Sequence, residues 1–158
     1  MEQFSFPFQR ALTGQLPEQI QQLTVAAREA AQHAYAPYSN FKVGVAVLMH
    51  NGRVITGANH ENASYPAGTC AERGVLANIN PNDKQQEIKA IAVTYLSSSP
   101  DTFAISPCGI CRQVILEQQL AQGAPITLYM CNPDGEVIYV EDASCLLPFY
   151  FSSKNLGK

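Results

Sequence analysis

Two short cysteine blocks constrain this chain more than any other part of it: Thr69-Cys70-Ala71-Glu72-Arg73 and, well downstream, Ser106-Pro107-Cys108-Gly109-Ile110-Cys111-Arg112. Each stands where a helix is expected to begin. Cys108 and Cys111 are three apart on a helical turn, so both sulfurs project from one end of their helix toward one point, and Cys70 offers a third sulfur from the start of another. Three thiolates on a tetrahedral zinc leave its fourth position open, as catalytic sites do, whereas a closed structural site takes a fourth Cys or His. A Cys-x-x-Cys pair by itself also suits dithiol redox chemistry, and three buried thiols without metal are the plainest alternative. The setting in Pro-Cys-x-x-Cys with an upstream Cys-x-Glu favours zinc with a carboxylate beside it.

The rest of the composition permits this chemistry without demanding it. A chain of 158 residues fits one domain that buries about two thirds of the surface its unfolded form exposes. With 46% hydrophobic and 15% charged residues, it has a core of its own and needs neither metal nor disulfide merely to fold. Five cysteines is an odd number, and reduced thiols in a cytoplasmic setting suit metal binding better than disulfides. Cys131, at the end of an apolar run, and Cys145, before Leu146-Leu147, read as small core residues. A formal charge of -3 lacks the basic surplus that a nucleic-acid polymer requires. No stretch reaches the roughly 20 apolar residues of a membrane span, and Met1-Glu2-Gln3-Phe4 does not open like an export signal. The expectation is a cytoplasmic protein acting on a small molecule, with no membrane partner.

Periodicity supplies the frame. Ile20, Leu23, Ala27, Ala30, Ala31 and Ala34 predict a first helix over residues 18–35, with Pro17 at its start. Residues 43–49 and 54–57 flank Asn51-Gly52, which predicts an antiparallel hairpin. A helix over 74–79, a buried strand over 88–96 and a loop at Ser97-Ser98-Ser99-Pro100 follow. Then come a helix over 108–120 capped by Ser106-Pro107, and strands over 126–131 and 137–140. Strand, strand, helix, strand, helix, strand, strand predicts an α/β fold, a three-layer α/β/α arrangement around a five-stranded mixed sheet. Residues 17–158 read as one domain and residues 1–16 as an N-terminal arm. In the arm, Phe4, Phe6 and Phe8 alternate as in a strand, while Pro7 limits that strand to an edge, packed on its own domain or reaching a neighbouring subunit.

Charge tests whether such a zinc site can work. Three thiolates leave Zn²⁺ with a net -1, a weaker Lewis acid than a site with neutral imidazoles. The two helix starts and Arg73 are expected to compensate, Arg73 by donating to a zinc thiolate. Glu72 alone would be an ordinary acid in a first helical turn. Beside an open zinc position it is the natural general acid and base. His60 is the histidine nearest the first block, but alternation along Asn59-His60-Glu61 turns it away from its neighbours.

At these residues the chain resembles the small, homotetrameric, zinc-dependent cytidine deaminases, and the resemblance extends from about Ala36 to Leu156. Beyond the cysteine blocks it is carried by Tyr38-Ser39-Asn40-Phe41-Lys42-Val43-Gly44, by Asn59-His60-Glu61-Asn62-Ala63-Ser64-Tyr65, and by Leu146-Leu147-Pro148 with Phe151. The resemblance implies one zinc per subunit on Cys70, Cys108 and Cys111, with Glu72 carrying a proton from zinc-held water to N3 and then to the 4-amino group. It implies that Asn59 and Glu61 hydrogen-bond the ribose, that Phe41 packs on the base, and that the Ala71 backbone faces the pyrimidine carbonyl. Tyr65 matches a residue near the nucleoside and the subunit boundary. Phe151 matches an aromatic that reaches into a neighbouring subunit's site, which makes the expected partners a nucleoside and three further copies of the chain with shared active sites.

Residue type agrees with these assignments without requiring them. Asn59 and Glu61 lie two apart on an extended segment, hence on one side, and together offer donors and acceptors to a hydroxyl. A polar strand end, a core Phe41 and a sticky Phe149-Tyr150-Phe151 tail are the plainer alternatives. The sequence departs from the family's pattern at His60, where an aliphatic residue is usual, and at Phe149-Tyr150, where a small pair is usual. The implied reaction is deamination of cytidine and 2'-deoxycytidine to the uridines in nucleoside salvage. The intact ribose motif weighs against a cytosine antibiotic such as blasticidin, and a non-enzymatic zinc-stabilised module remains the rival from another class.

Overall fold

A computed structural model describes residues 1–99 and 102–157. Along the chain run β1 (Gln9–Leu12), α1 (Glu18–Gln32), β2 (Lys42–Met49), β3 (Val54–Ala58), α2 (Ala71–Leu76), β4 (Ile88–Leu96), α3 (Gly109–Gln122), β5 (Thr127–Cys131) and β6 (Glu136–Val140), with short 3-10 turns between them. The expected hairpin is present: β2 and β3 pair antiparallel from Leu48↔Val54 to Gly44↔Ala58. Gly52 takes the positive φ of +86° that the turn needs. Its other neighbour, β4, is also antiparallel, with Val45 opposite Val93. β4 and β5 run parallel, which requires a crossover, and α3 provides it.

The sheet order is β1-β6-β5-β4-β2-β3. This corrects the expected five strands to six, since Gln9–Leu12 pairs antiparallel with β6. The sequence Gln-Arg-Ala-Leu has neither alternation nor a buried face, so periodicity could not find it; its pairing is made by the backbone and by flanking polar contacts such as Arg10 to Glu136. The strand begins after Pro7, at the sheet edge where a proline is tolerated, and Phe4, Phe6 and Phe8 are exposed. Two helices are also displaced. The first ends at Gln32 rather than at 35, and the second spans Ala71–Leu76 rather than 74–79, so Glu72 and Arg73 lie within it. Ser97 to Ser99 follow β4 outside any strand or helix, as the loop assignment expects, and Pro100 lies outside the described residues.

Strand alternation builds the three layers. Ala46, Leu48, Ala90, Ala92, Tyr129 and Cys131 face Leu16, Ile20, Leu23 and Ala27 in and before α1. On the other face Val45, Val47, Ile91, Val93 and Met130 pack with Ala71, Val75, Leu76 and Ile115 of α2 and α3. Gly44 lets α1 approach β2 closely: a Cβ there would lie 2.0 Å from the Ala27 carbonyl oxygen and 2.4 Å from the Ala31 nitrogen. Cys131 is buried as expected, its thiol pushed up to about 12 by burial. Cys145 is only half-buried, in the turn after β6. α2 and α3 share one face of the sheet, and that places the two cysteine blocks together.

Candidate active site

Cys70 is the residue immediately before α2 and Cys108 the residue immediately before α3. Their sulfurs stand 4.0 Å apart, and Cys108 Sγ lies 3.5 Å from Cys111 Sγ. All three fall within 4.8 Å of one another, with no histidine in the group among the described residues. Two thiolates on a tetrahedral zinc, with Zn–S near 2.3 Å, sit about 3.8 Å apart, so this spacing fits one ion. It is far from the roughly 2.05 Å of a disulfide, and the cysteines are free. Three sulfurs from two helix starts therefore form a site able to hold a metal, with a coordination position left for something else.

The thiols are not equivalent. Burial pushes Cys70 and Cys111 up, and the Glu72 charge adds to both. For Cys108, burial acts in the same direction but is outweighed by hydrogen bonds from the Cys111 amide, the Cys111 and Cys70 thiols and the Ile110 amide, which leave it below the ordinary thiol value. A cation among three such groups would offset the charge that burial now penalises. Glu72 is 4% exposed, and burial raises its carboxyl above the ordinary value against its own amide and the Cys111 thiol.

These groups open into a cavity of about 440 Å³ lined by Cys70, Ala71, Glu72, Cys108 and Cys111 at one end and by Phe41, Asn59 and Glu61 elsewhere. Ser39, Val43, Ile105 and Ser106 complete the lining. The charged side chains on this wall are two carboxylates, which favours a neutral ligand over an anionic one. His60 is directed out of it and stacks on Tyr35 with ring centroids 4.8 Å apart.

The rim is braced by hydrogen bonds. Asn59 Oδ1 accepts from Val43 N at 2.8 Å, and its Nδ2 donates to Phe41 O at 2.9 Å. Glu61 accepts from the Tyr38 and Ser39 amides at 2.9 and 3.2 Å and from the Ser39 hydroxyl. Both side chains thus shape the Tyr38-to-Val43 segment while keeping polar capacity toward the cavity.

Tyr65 stands outside this cavity, in an adjoining hollow of about 360 Å³ that shares Ser39 and Glu61 with it. Phe151 does not line the cavity of its own chain; its ring is exposed and its carbonyl accepts from Gln113 Nε2 at 2.9 Å. Arg73 is half-buried in α2 and donates no hydrogen bond to a thiol among the described residues. Sequence reasoning missed Arg112, whose guanidinium donates to Pro107 O at 2.9 Å, Leu146 O at 3.0 Å and Ser106 Oγ at 2.7 Å. It ties the second cysteine block to the C-terminal segment. Its position directly after Cys111 is the only signal the sequence carries.

Fold and site together define a member of the zinc-dependent deaminase class. The profile of the cytidine and deoxycytidylate deaminase zinc-binding region matches residues 17–123, and the chain belongs to that family. It is 39% identical to a cytidine deaminase of Halalkalibacterium halodurans over 87% of this chain and 97% of that one. Among solved structures, a cytidine deaminase from Burkholderia pseudomallei superposes with a TM-score of 0.69 at 40% identity, covering 83% of this chain and 98% of that one. One from Mycobacterium tuberculosis gives 0.64 at 34% identity over 84% and 97%.

Proposed function

We propose that this chain hydrolyses cytidine and 2'-deoxycytidine to uridine and 2'-deoxyuridine with release of ammonia, using one zinc per subunit on Cys70, Cys108 and Cys111. The observation that carries this reading is the buried Glu72 carboxyl opening into the same cavity as three sulfurs at metal-holding distances. Zinc bound there supplies Lewis-acid activation of water near neutral pH. Glu72, its carboxyl raised by burial, takes up one proton at a time and returns it, first to N3 of the base and then to the departing 4-amino nitrogen. The raised value brings the carboxyl nearer the working pH, where giving and taking a proton are both accessible.

Phe41 offers its ring face to the base, and the Ala71 backbone faces the pyrimidine carbonyl. Asn59 and Glu61 read the ribose: each has spent some hydrogen-bonding capacity on the rim, and the remaining amide proton and carboxylate lone pairs are free for hydroxyls. Tyr65, in the hollow that adjoins the cavity at Ser39 and Glu61, stands near the nucleoside and the subunit boundary, and Arg73 offsets the charge of the thiolates. The five free cysteines suit a reducing cytoplasm.

The test is the loss of cytidine absorbance on adding zinc-loaded protein, beside Glu72→Gln of equal zinc content. The wild type is expected to turn over and the variant to lose about 10² to 10⁴ in rate; equal rates would remove Glu72 from the chemistry. Arg73→Ala is expected to lose zinc to a chelator more readily than the wild type, and unchanged retention would end its assigned role.

We propose further that the domain over residues 17–158, with β1 added to its sheet edge, acts in a homotetramer, with Phe151 completing a neighbour's site. Its exposure outside its own cavity, beside an exposed Phe149 and Tyr150, supports this. Light scattering is expected to give four chains, and Phe151→Ala to raise KM for cytidine. A monomer with full activity would refute the shared site.

A further inference from the structure

Phe41 is 44% exposed at the cavity wall, and an aromatic ring so placed needs something behind it to hold one orientation. Its main chain is fixed by Asn59 and Ser39, through Phe41 O to Asn59 Nδ2 at 2.9 Å and Phe41 N to Ser39 Oγ at 3.0 Å. Its ring is held by one other ring: Tyr95, stacked at a centroid distance of 5.1 Å and an interplanar angle of 27°.

Tyr95 is 5% exposed. It continues the Ile91, Val93 row of β4 on the sheet face that carries α2 and α3, in register with Val43. Its hydroxyl accepts the backbone N–H of Phe103 at 3.2 Å. Phe103 belongs to the segment that runs on through Ile105 and Ser106, both on the cavity wall, to Cys108. One side chain thus touches the ring at the wall and the segment that delivers two sulfurs.

We propose that Tyr95 is a positioning residue: its ring sets the plane of Phe41 against the base, and its hydroxyl anchors the segment entering the second cysteine block. This rests on Phe41 being the base-packing residue. The ring and the hydroxyl are separable. Tyr95→Phe keeps the stack and loses one hydrogen bond; Tyr95→Leu keeps a buried apolar side chain and loses the flat face.

Aromatic pairs of this geometry contribute at most about tenfold in an equilibrium. Tyr95→Leu is therefore expected to raise KM for cytidine by about two- to tenfold with a smaller change in kcat. Tyr95→Phe, which loses only the bond to Phe103, is expected to leave KM near the wild type and to give up zinc to a chelator faster, and an unchanged rate of zinc loss would remove the anchoring role. Since Tyr95 acts through Phe41, the double variant Phe41→Leu/Tyr95→Leu should have the KM of Phe41→Leu alone. Zinc content and unfolding temperature measured on each variant separate positioning from misfolding. A Tyr95→Leu enzyme that holds zinc, melts normally and keeps the wild-type KM overturns the inference, as does a double variant whose KM is the product of the single effects. An unchanged KM in Phe41→Leu refutes the base-packing role itself, and the inference with it. A raised KM there with no effect of Tyr95→Leu sinks the inference alone.

Discussion

The cysteines and Glu72 were legible because their chemistry is rare and their spacing is local: a Cys-x-Glu and a Pro-Cys-x-x-Cys need no tertiary knowledge to be noticed. Ser39, Tyr95 and Arg112 were not, because these residue types are common and their partners are remote, Ser39 from Glu61 by 22 positions and Arg112 from Leu146 by 34. Glu61 shows what such a partner does. The Ser39 hydroxyl and the Tyr38 amide, with help from the Ser39 amide and against some desolvation, hold its carboxyl below the ordinary value of 4.5. A carboxyl so depressed keeps its charge as pH falls past that value and loses it only at its own lower one. If the charge of Glu61 grips the nucleoside, the loss of affinity for cytidine on acidification should set in at a higher pH in Ser39→Ala than in the wild type, every other titrating group being common to both. Superimposable KM profiles for the two proteins would show that the Ser39 contact does not govern substrate binding.

At the scale of elements, the pattern located β2, β4 and the start of α1, where apolar content and periodicity decide the outcome. It missed β1, whose pairing owes little to side-chain burial. Nor does it say which polar residues of α3 are buried, since a glutamine carries no such signal in sequence. Gln119 and Gln122 are in fact buried. Gln122 bonds both the N–H and the C=O of Ile88, at 2.9 and 2.8 Å, at the start of β4. Gln119 Oε1 accepts from Ile126 N at 3.0 Å and Ala143 N at 3.1 Å. These amides bond backbone groups at the start of β4, just before β5 and in the turn after β6. Gln122→Leu removes both bonds to Ile88, and each buried polar group left without a partner costs about 1–3 kcal/mol. Denaturant unfolding of this variant should show a loss of about 2 kcal/mol or more; a loss below about 0.5 kcal/mol would mean that water or a rearranged side chain takes over.

For the whole molecule, the three layers follow from alternating strands with helices between them, and that much is written in periodicity. The meeting of the two cysteine blocks is not, because it depends on α2 and α3 choosing the same face of the sheet. Their choice makes the ion a clasp as well as a reagent. A metal held by Cys70 and Cys108 would tie together positions 38 apart and, binding the folded chain in preference to the unfolded one, would stabilise this half of the molecule. The sheet isolates its two cores from each other, one around α1 and one around α2 and α3. Chelation should therefore quicken amide exchange along α2 and the first turn of α3 while the α1 amides stay as protected as before. Uniform acceleration across all three helices would show that the two halves open together. With selective acceleration, the catalytic half is the half that loosens first when zinc is scarce, and the far side of the sheet keeps a folded platform on which the site can close again.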